Sequence, residues 1–372
     1  MSQEQSQVYF TDFRTTFEEN VPAKLTRLIR EAGLGQINFQ KKFAAIKMHF
    51  GEPGNLAFLR PNYAKSVADE VKKLGGLPFL TDCNTLYVGR RKNALEHLGA
   101  AQENGFSVLS TGCQVIIGDG LKGTDEREIP LEGEHIKHIK SAKIGTAIMD
   151  ADVFISLNHF KGHESTGFGG AIKNIGMGCG SRAGKMEMHY GGKPEVKQDN
   201  CVACAACFRN CAHGAISFPN KKAFINTDKC VGCGRCIGSC NYDAIHPIDS
   251  NSNIILNERM AEYAWAVLKD RPHFHVSIIQ DVSPYCDCHS ENDAPIVPDL
   301  GMLASFDPVA LDRACADLVN AAQPLPNSKL AESKEDLHDH FKNIFPDTDW
   351  ETCLSHAEEL GMGTQNYELI KI

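Results

Sequence analysis

Two runs of closely spaced cysteines are the residues of this chain with the clearest chemistry. Both runs have the spacing C-x2-C-x2-C-x3-C, and each position of the second run lies 29 residues after its counterpart in the first, which indicates a duplicated unit. Three closely spaced thiolates can reach three corners of a 4Fe-4S cube, whereas the fourth cysteine of such a run ligates the other cluster. We therefore predict one cluster on Cys201, Cys204, Cys207 and Cys240, and a second on Cys230, Cys233, Cys236 and Cys211.

Two other uses of these cysteines compete with the iron-sulfur interpretation. Paired C-x2-C spacings also bind zinc, but a tetrahedral zinc site has no use for a middle cysteine that recurs at the same interval in both runs. Disulfides are typical of secreted proteins, whereas the chain starts with the polar stretch MSQEQSQ and no apolar signal segment follows it. The sequence therefore favours reduced thiols, 4Fe-4S clusters and a cytoplasmic protein.

Seven further cysteines lie outside the two runs, namely Cys83, Cys113, Cys179, Cys286, Cys288, Cys315 and Cys353. We expect Cys315, on the apolar face of a predicted helix, and Cys353, in a C-terminal helix, to be buried as small hydrophobic residues.

The pair Cys286 and Cys288 differs from these, because His289 follows it directly and one loop then holds two thiols and an imidazole. Soft ligands of this kind select transition metals. With Cys179 as a further ligand, the pattern predicts a third metal or cluster site. The alternative is that two cysteines at i and i+2 simply share one face of a strand.

The segment 158–190 is rich in Gly, Lys and His and starts where a predicted strand ends. Ligands bind at the carboxyl ends of strands in α/β sheets, and glycine-rich loops can turn backbone N–H groups toward an anion. We predict Lys161, His163 and Lys173 as catalytic residues, with His163 as a general acid. Other residues expected near the same cleft are Arg182, Lys185, His159, His189 and His289, together with Asp82, Asn84 and Arg90 after another strand end.

On either side of the cysteine runs, strand-length apolar stretches alternate with amphipathic helical patterns, which predicts an α/β fold with a mainly parallel sheet flanked by helices. The predicted strands are 43–50, 78–81, 115–118, 153–157 and 275–282, and the predicted helices are 22–31, 61–74, 91–104, 141–150, 257–269 and 307–319.

The cysteine runs interrupt this alternation, which resumes after them. We therefore expect a two-cluster, ferredoxin-like α+β module inserted at 191–250 into an α/β domain whose parts are 1–190 and 251–372, with residues near 191 and 250 close together. A chain of 372 residues is far longer than such a module alone.

The composition excludes several classes of function. A net charge of −9 argues against binding of nucleic acids, which calls for a basic surface. The apolar stretches are of strand length and too short to cross a membrane. We predict neither a nucleic-acid partner nor a membrane.

Four stretches of the chain carry a resemblance to a known family: DCNTLYVGRRKNA from Asp82, FKGHESTGFGGAIKNIGMGCGSRAGK from Phe160, SPYCDCH from Ser283 and PIVPDLGMLASFDPVALDRACADLV from Pro295. They are similar to the uncharacterised iron-sulfur centre proteins classed as domain of unknown function 362. The resemblance covers most of residues 40–320. It implies an α/β domain with a double 4Fe-4S ferredoxin module within or beside it and a redox setting, but no particular reaction.

The leading hypothesis from the sequence is an oxidoreductase in which two 4Fe-4S clusters deliver electrons, received from a redox partner protein, to a small anionic substrate or cofactor in the α/β domain. A second hypothesis is a non-catalytic electron carrier or docking protein, which needs no pocket. A third is a protein that handles metals or clusters with Cys179, Cys286 and Cys288. A deep cleft lined by Lys161, His163 and Lys173 distinguishes the first hypothesis from the second.

Overall fold

The computed structural model describes residues 5–372 except 87–88, 191–192, 231, 233–234, 241, 243, 248–252 and 334–337. The strands in these residues are β1 (Ser6–Thr11), β2 (Phe43–Lys47), β3 (Leu77–Asp82), β4 (Gln114–Ile117), β5 (Glu126–Pro130), β6 (Ser141–Gly145), β7 (Val153–His159), β8 (Lys161–His163), β9 (Gly167–Gly169), β10 (Pro194–Val196), β11 (Ile216–Ser217), β12 (Phe224–Ile225), β13 (Ile245–Pro247), β14 (His273–Ile279), β15 (Gly301–Ser305) and β16 (Tyr367–Lys371). The helices are α1 (Val21–Glu31), α2 (Pro61–Lys73), α3 (Ala94–Glu103), α4 (Val108–Thr111), α5 (Thr146–Met149), α6 (Ala171–Cys179), α7 (Arg182–Tyr190), α8 (Ala206–Asn210), α9 (Arg235–Gly238), α10 (Asn253–Leu268), α11 (Pro308–Ala321), α12 (Lys329–Glu332), α13 (His340–Ile344) and α14 (Trp350–Glu359).

Within the described residues, eight strands form one sheet in the order β16-β1-β15-β14-β7-β2-β3-β4. Only β15 runs against its neighbours β1 and β14, and every other adjacent pair is parallel. This confirms the predicted α/β fold with a mainly parallel sheet. The chain adds β3 and β4 on one side of β2 and later adds β7 on the other side. The carboxyl ends of β2 and β7 therefore flank a topological switch point, where open α/β sheets bind ligands.

The central strand β7 is buried along its whole length, as expected of a parallel strand covered on both faces. Its residues alternate between two apolar cores: Val153 and Ile155 lie in the core that includes residues of α1 and α2, and Phe154 lies in the core that includes residues of α6, α10 and α11. A fully buried side chain such as Phe154 contributes roughly 1.5–3 kcal/mol. The molecule thus has three layers, with helices on both faces of the sheet.

The main helices on these faces begin where the sequence provides a cap. The Asn20 side chain accepts a hydrogen bond from the Ala23 backbone N–H at 3.0 Å and caps α1, which has proline in its first turn. Asp307 accepts from the N–H groups of Val309 and Ala310 at 2.8 and 2.9 Å and caps α11, which begins with proline. Both starts agree with the sequence, because an acceptor followed by proline suits the unpaired N–H groups of a first helical turn.

The cysteine-rich segment runs from β10 to β13, residues 194–247. Its two ends lie together, because β10 pairs with β13 in the antiparallel direction and Pro194 is opposite Pro247. Between them, β11 pairs with β12. The backbone N–H of Ala215 donates to Cys211 Sγ at 3.4 Å, and the N–H of Ala244 donates to Cys240 Sγ at the same distance, which repeats one contact in both copies of the duplicated unit. The domain boundaries at 190 and 250 remain predictions.

One expectation about the elements was wrong. The predicted helix 141–150 is instead strand β6 followed by the short helix α5, because Ala142 and Ile144 alternate with more exposed neighbours and the strand pairs with β5. The C-terminal strand β16 pairs with β1 at the edge of the main sheet. A pairing between the two ends of the chain leaves no local signal in the sequence.

Candidate functional site

A cavity of about 250 Å³ lies at the carboxyl ends of β2, β3 and β7, at the switch point of the sheet. Its polar lining comes from the ends of these strands, from β8, from α6 and α7, and from the loop after β14. We call it the strand-end cavity, and its polar and sulfur-containing lining residues include Lys47, His49, Asp82, Cys83, Thr85, Arg91, His159, Lys161, His163, Glu164, Ser165, Lys173, Asn174, Met177, Lys185, His189, Asn253, Cys286, Asp287, Cys288 and His289.

A buried ion pair connects the ends of β2 and β3. Lys47 Nζ lies 3.0 Å from Asp82 Oδ1 and donates a hydrogen bond to Asn174 Oδ1 at 2.7 Å. Burial alone would raise the pKa of Asp82, but the Lys47 ammonium and neighbouring basic groups hold that pKa well below its usual range. The carboxylate is therefore ionised, and it fixes the Lys47 ammonium at the cavity wall.

Two histidines and an arginine extend this polar wall. Arg91 Nε donates to Glu52 Oε2 at 2.8 Å, and Arg91 Nη1 lies 2.8 Å from His49 Nε2. Burial and the adjacent Arg91 lower the pKa of His49 well below its usual value. Burial likewise lowers the pKa of His97, 3.7 Å from Asp82, to about 3. Both histidines are thus neutral at pH 7, and the positive charge at this wall rests on Arg91 and Lys47.

The end of β7 carries a second cluster of charges. His159 Nδ1 lies 2.9 Å from Asp287 Oδ2, and His159 Nε2 lies 2.8 Å from the carbonyl oxygen of Gln280. The ring is thus fixed between the Asp287 carboxylate and the Gln280 backbone. Lys161 Nζ lies 3.7 Å from the same carboxylate. Burial alone would raise the pKa of Asp287, but His159 and Lys161 hold it well below its usual range.

Strand β8 reaches the loop after β14 because a glycine separates its two functional side chains. The Gly162 N–H donates to the Ser283 carbonyl oxygen at 2.9 Å, and a Cβ at Gly162 would meet the Pro284 carbonyl oxygen at 2.6 Å. No side chain larger than hydrogen fits this approach without displacing the backbone. The K-G-H sequence thus brings Lys161 and His163 next to Cys286.

The loop after β14 forms a turn closed by a hydrogen bond of 3.1 Å from the His289 N–H to the Cys286 carbonyl oxygen. The Cys288 N–H donates to Cys286 Sγ at 3.4 Å, and Lys173 Nζ lies 3.7 Å from the same sulfur. Hydrogen bonding from the Cys288 thiol, together with Lys173, Lys161 and His163, lowers the pKa of Cys286 well below its usual value although the group is buried. The same hydrogen bond raises the pKa of Cys288.

Glu164 lies between His163 and His289 beside this loop. The backbone N–H groups of Ser165 and Thr166 donate to His163 Nδ1 at 3.1 and 3.2 Å, which leaves Nε2 to carry the ring hydrogen. His289 Nε2 lies 2.9 Å from Glu164 Oε1. Burial alone would raise the pKa of Glu164, but His163 and His289 lower it to about 2. His163 thus presents an N–H toward the cavity side of the loop.

Cations outnumber carboxylates among the described lining residues. The cations are Lys47, Arg91, Lys161, Lys173 and Lys185, and the carboxylates are Asp82, Glu164 and Asp287. A concave site with an excess of one charge concentrates ligands of the opposite sign. The strand-end cavity is therefore suited to a small anion.

Most of the side chains that the sequence placed near a cleft do line the cavity: Lys161, His163, Lys173, Lys185, His159, His189, His289, Asp82, Cys286 and Cys288. Asn174, next to Lys173 near the start of α6, also lines the cavity. The predicted catalytic roles are not tested by this arrangement and remain predictions.

Four predicted residues lie elsewhere. Asn84 binds the Asp119 carboxylate at 2.8 Å, and Arg90 forms a surface pair with Glu103 while its neighbour Arg91 enters the cavity wall. Arg182 donates to the backbone carbonyl oxygens of Lys122 and Lys92. Cys179 is fully buried beneath the cavity, where burial raises the pKa of its thiol to about 11.

Lys47, His49 and Arg91 line the cavity but were not predicted from the sequence. The sequence does contain an indication of Lys47 and His49, because a lysine ends an apolar strand and a histidine follows two residues later. Polar residues directly after a parallel strand lie at the edge of the sheet where ligands bind. For Arg91, the adjacent Arg90 offered the same signal, and only packing decides which of the two turns inward.

A second, smaller pocket lies in the cysteine-rich segment, and we call it the cysteine pocket. Its lining includes Cys201, Cys204 and Cys207 from the first run and Cys240 from the second. The backbone N–H of Ala223 donates to Cys201 Sγ at 3.3 Å. Four thiols around one pocket, with N–H groups directed at two of them, fit the ligand set of a 4Fe-4S cluster. The other predicted set is described in part, because Cys233 lies outside the described residues.

Within the part of the chain that the structure describes, no three side chains of His, Cys, Asp or Glu converge on a position for a single metal ion. A cubane does not require such convergence, because its thiolate ligands bind separate iron atoms at the corners. The four sulfurs of the cysteine pocket are thus compatible with a cluster, whereas the donor set Cys179, Cys286, Cys288 and His289 does not form an ion site in this arrangement.

One apolar cluster connects the cysteine pocket with the strand-end cavity. Leu86 lines the cavity and also belongs to the apolar cluster that contains Cys201 and Cys207. Met186 belongs to that cluster too and follows Lys185, which lines the cavity. Burial lowers the pKa of Lys92, and the nearby Cys240 opposes this effect. Members of this one cluster therefore line both sites.

No helix in the described ranges is both long and apolar enough to cross a membrane. Residues 44–317, more than half of the chain, match the family described as Domain of unknown function (DUF362). No protein with a curated description is similar enough to count as a match.

Two solved structures are similar to this chain at 12% identity. One is the lactate racemase apoprotein from Thermoanaerobacterium thermosaccharolyticum, with a TM-score of 0.38 over 74% of this chain and 52% of that chain. The other is a structural-genomics target protein from Thermotoga maritima, with a TM-score of 0.35 over 92% of this chain and 59% of that chain. The chain therefore spans about half the length of the first structure and 59% of the second.

Proposed function

The chain belongs to the DUF362 family, and from that premise we propose that it is an iron-sulfur oxidoreductase. It holds two 4Fe-4S clusters in the cysteine-rich segment and uses their electrons to reduce a small anionic molecule in the strand-end cavity. The observation that carries this proposal is the cysteine pocket, in which Cys240 of the second run joins Cys201, Cys204 and Cys207 of the first.

The crosswise arrangement supports two clusters rather than zinc. A fourth ligand supplied by the other run is the pattern of two-cluster ferredoxin modules. The contact of the Ala244 N–H with Cys240 Sγ and that of the Ala215 N–H with Cys211 Sγ would each stabilise a thiolate ligand. When bound, the clusters supply single electrons at a potential set by cluster charge, hydrogen bonds to sulfur and burial.

The lining of the strand-end cavity supports an anionic ligand. Lys161 and Lys173 would neutralise a carboxylate or a similar group and stabilise negative charge that develops during reduction. The Nε2–H of His163 would donate to the reacting group, and burial of this wall excludes water from the charges. Because cations outnumber carboxylates in the lining, the preference for an anionic ligand does not depend on any one side chain.

The apolar cluster that reaches both sites supports transfer of electrons between them. Leu86 and Met186 are buried in the apolar cluster of the cysteine-rich segment, and both lie beside residues of the strand-end cavity. A non-catalytic carrier or docking protein needs no cavity at this place. The volume of the cavity and its placement at the switch point therefore favour an enzyme.

The test is an iron count on anaerobically purified protein. We expect about eight iron atoms per chain with the electron paramagnetic resonance signals of reduced 4Fe-4S clusters. Cys240→Ala is expected to remove one cluster, about half of the iron, and Cys211→Ala the other, with Cys113→Ala as a buried cysteine control that retains all iron. Zinc in place of iron, or a Cys240→Ala protein with its full iron content, would contradict the proposal.

A further inference from the structure

The turn after β14 holds two thiols against one cationic wall of the strand-end cavity. Both Cys286 and Cys288 line the cavity, and the turn is closed by the hydrogen bond from the His289 N–H to the Cys286 carbonyl oxygen. Cys286 is buried and Cys288 is partly exposed. The pair is therefore reachable from the cavity, whereas a purely structural cysteine such as Cys315 lies in the core.

The two sulfurs have different surroundings. Cys286 Sγ accepts from the Cys288 N–H at 3.4 Å and lies 3.7 Å from Lys173 Nζ. The nearby Cys288 side chain, together with Lys173 and Lys161, lowers the pKa of Cys286. Donors and a cation gathered around one sulfur favour the thiolate, and the neighbouring thiol keeps its hydrogen. This is the asymmetry of a nucleophilic cysteine beside a resolving cysteine.

We infer that Cys286 and Cys288 form a redox-active dithiol that reduces a small anionic disulfide bound in the strand-end cavity. The inference rests on the proposed function for the electrons that restore the dithiol. The substrate class follows from three observations: the thiol pair, which exchanges with disulfides, the excess of lining cations, and a volume of about 250 Å³ that admits only a small molecule.

The exchange proceeds in two steps that conserve atoms and electrons. The Cys286 thiolate attacks one sulfur of the disulfide RSSR, which forms a mixed disulfide with Cys286 and releases RS⁻. The sulfur of Cys288 then attacks Cys286 Sγ, so that the Cys286–Cys288 disulfide forms, a second RS⁻ leaves and the proton of Cys288 passes to one of the two products. Two electrons from the iron-sulfur centres and one proton from water then reduce the Cys286–Cys288 disulfide. The products are the Cys286 thiolate and the Cys288 thiol.

The cationic residues assist the first step. Lys161 and Lys173 would hold a carboxylate of the disulfide next to Cys286, and the departing RS⁻ would leave into the same positive wall. Lys161 lies 3.7 Å from the Asp287 carboxylate, whereas Lys173 lies 3.7 Å from Cys286 Sγ itself. A neutral disulfide of the same size lacks this attraction and is expected to react more slowly.

The experiment traps the mixed disulfide in the anaerobic full-length protein. The probe is dithiodiglycolate, a disulfide with a carboxylate at each end, and bis(2-hydroxyethyl) disulfide is its neutral counterpart. Cys288→Ser is expected to accumulate one half of the probe on Cys286, with release of about one thiol per chain, whereas the wild type forms the Cys286–Cys288 disulfide and releases about two. Peptide mass spectrometry locates both products.

The controls separate this inference from the proposed function. Cys286→Ser is expected to release no thiol, and Cys113→Ser, altered at a buried cysteine outside the cavity lining, behaves as the wild type. The anionic probe should react at least about tenfold faster than the neutral one, an advantage of roughly 1.4 kcal/mol.

The possible outcomes are distinct. If the protein contains its full iron but Cys286 does not react, the dithiol inference is wrong and the proposed function stands. The same holds if a metal ion is bound to Cys286 and Cys288. If protein without clusters still forms the mixed disulfide and the Cys286–Cys288 disulfide, the dithiol inference is supported. The proposed supply of electrons from the clusters is then wrong. An adduct that appears equally in Cys286→Ser also overturns the inference, because the reactive sulfur then lies elsewhere.

Discussion

The strand-end cavity and the cysteine-rich segment are built in opposite ways. Side chains of the cavity extend from the ends of long buried strands, and their charges are fixed by partners such as Asp82 for Lys47 and Asp287 for Lys161. The cysteine-rich segment consists of short strands and helices around a small apolar cluster of Ile, Ala and Cys residues. One site is shaped by the sheet, and the proposed clusters would complete the other.

The difference follows from how much surface each region can bury. Two large cores pack against the main sheet, so the fold can hold buried charges in place without a ligand. A segment with a small core has little hydrophobic stabilisation, and metal ligands commonly supply the remainder in such units. We therefore expect the cavity to persist when the clusters are removed.

The largest effect should come from breaking the buried ion pair of the cavity. Lys47→Met removes the closest ion-pair partner of the buried Asp82 carboxylate and is expected to lower the free energy of unfolding by about 3–5 kcal/mol. Lys65→Met, which removes the exposed partner of Asp69, should cost less than about 0.5 kcal/mol. Denaturant unfolding of both variants measures the difference. Equal losses in the two variants would show that the cavity charges are not held by the sheet.

Removal of the clusters should affect only the other region. With anaerobic chelation of iron, backbone amides in 193–230 are expected to exchange with deuterium roughly a hundredfold faster, which corresponds to about 2.7 kcal/mol of lost ligand stabilisation. Amides of β7 and β14 should keep their protection. Exchange followed by mass spectrometry provides both readings at once, and a loss of protection in β7 would mean that the two regions unfold together.

The two regions should also differ in their response to acid. The folded-state pKa of His97, lowered by burial to about 3, lies below its usual unfolded value near 6.5, so the unfolded chain binds a proton that the folded chain excludes. The free energy of unfolding should therefore fall as the pH drops from about 6.5 to about 3. This one group contributes a loss of up to about 1.4 kcal/mol per pH unit.

The acid effect is measured by comparing wild type and His97→Gln in denaturant at several pH values. The variant lacks the buried imidazole and should lose less stability between pH 6.5 and pH 4.5. Parallel curves for the two proteins would assign the acid sensitivity to other groups.

The smallest effect concerns one cation of the cavity lining. Lys173→Met is expected to weaken the binding of malonate, a small dianion, by roughly fivefold, about 1 kcal/mol, because four other cations remain in the lining. Calorimetric titration of the variant, of Lys65→Met and of the wild type measures this. Binding that is unchanged by Lys173→Met, or that is lost equally in Lys65→Met, would place the anion outside the strand-end cavity.

Local patterns allowed the fold to be predicted where they were strong. The alternation of apolar strands and amphipathic helices predicted the α/β fold, and the Asp307-Pro308 pair predicted the start of α11. The segment 141–150 was mistaken for a helix, because a short apolar stretch does not distinguish the period of a strand from that of a helix. The pairing of β16 with β1 is a contact between distant segments and has no local pattern.

The sequence by itself determined the two duplicated cysteine runs, the lysines and histidines of the segment 158–190 and the thiol pair near 286, because chemical identity and spacing are properties of the chain. Only the tertiary structure decided that Arg91 rather than Arg90 reaches the cavity wall, that Cys179 lies beneath it and that Lys47 is paired with Asp82. These outcomes depend on which strands become neighbours and which side chains the packed helices leave room for.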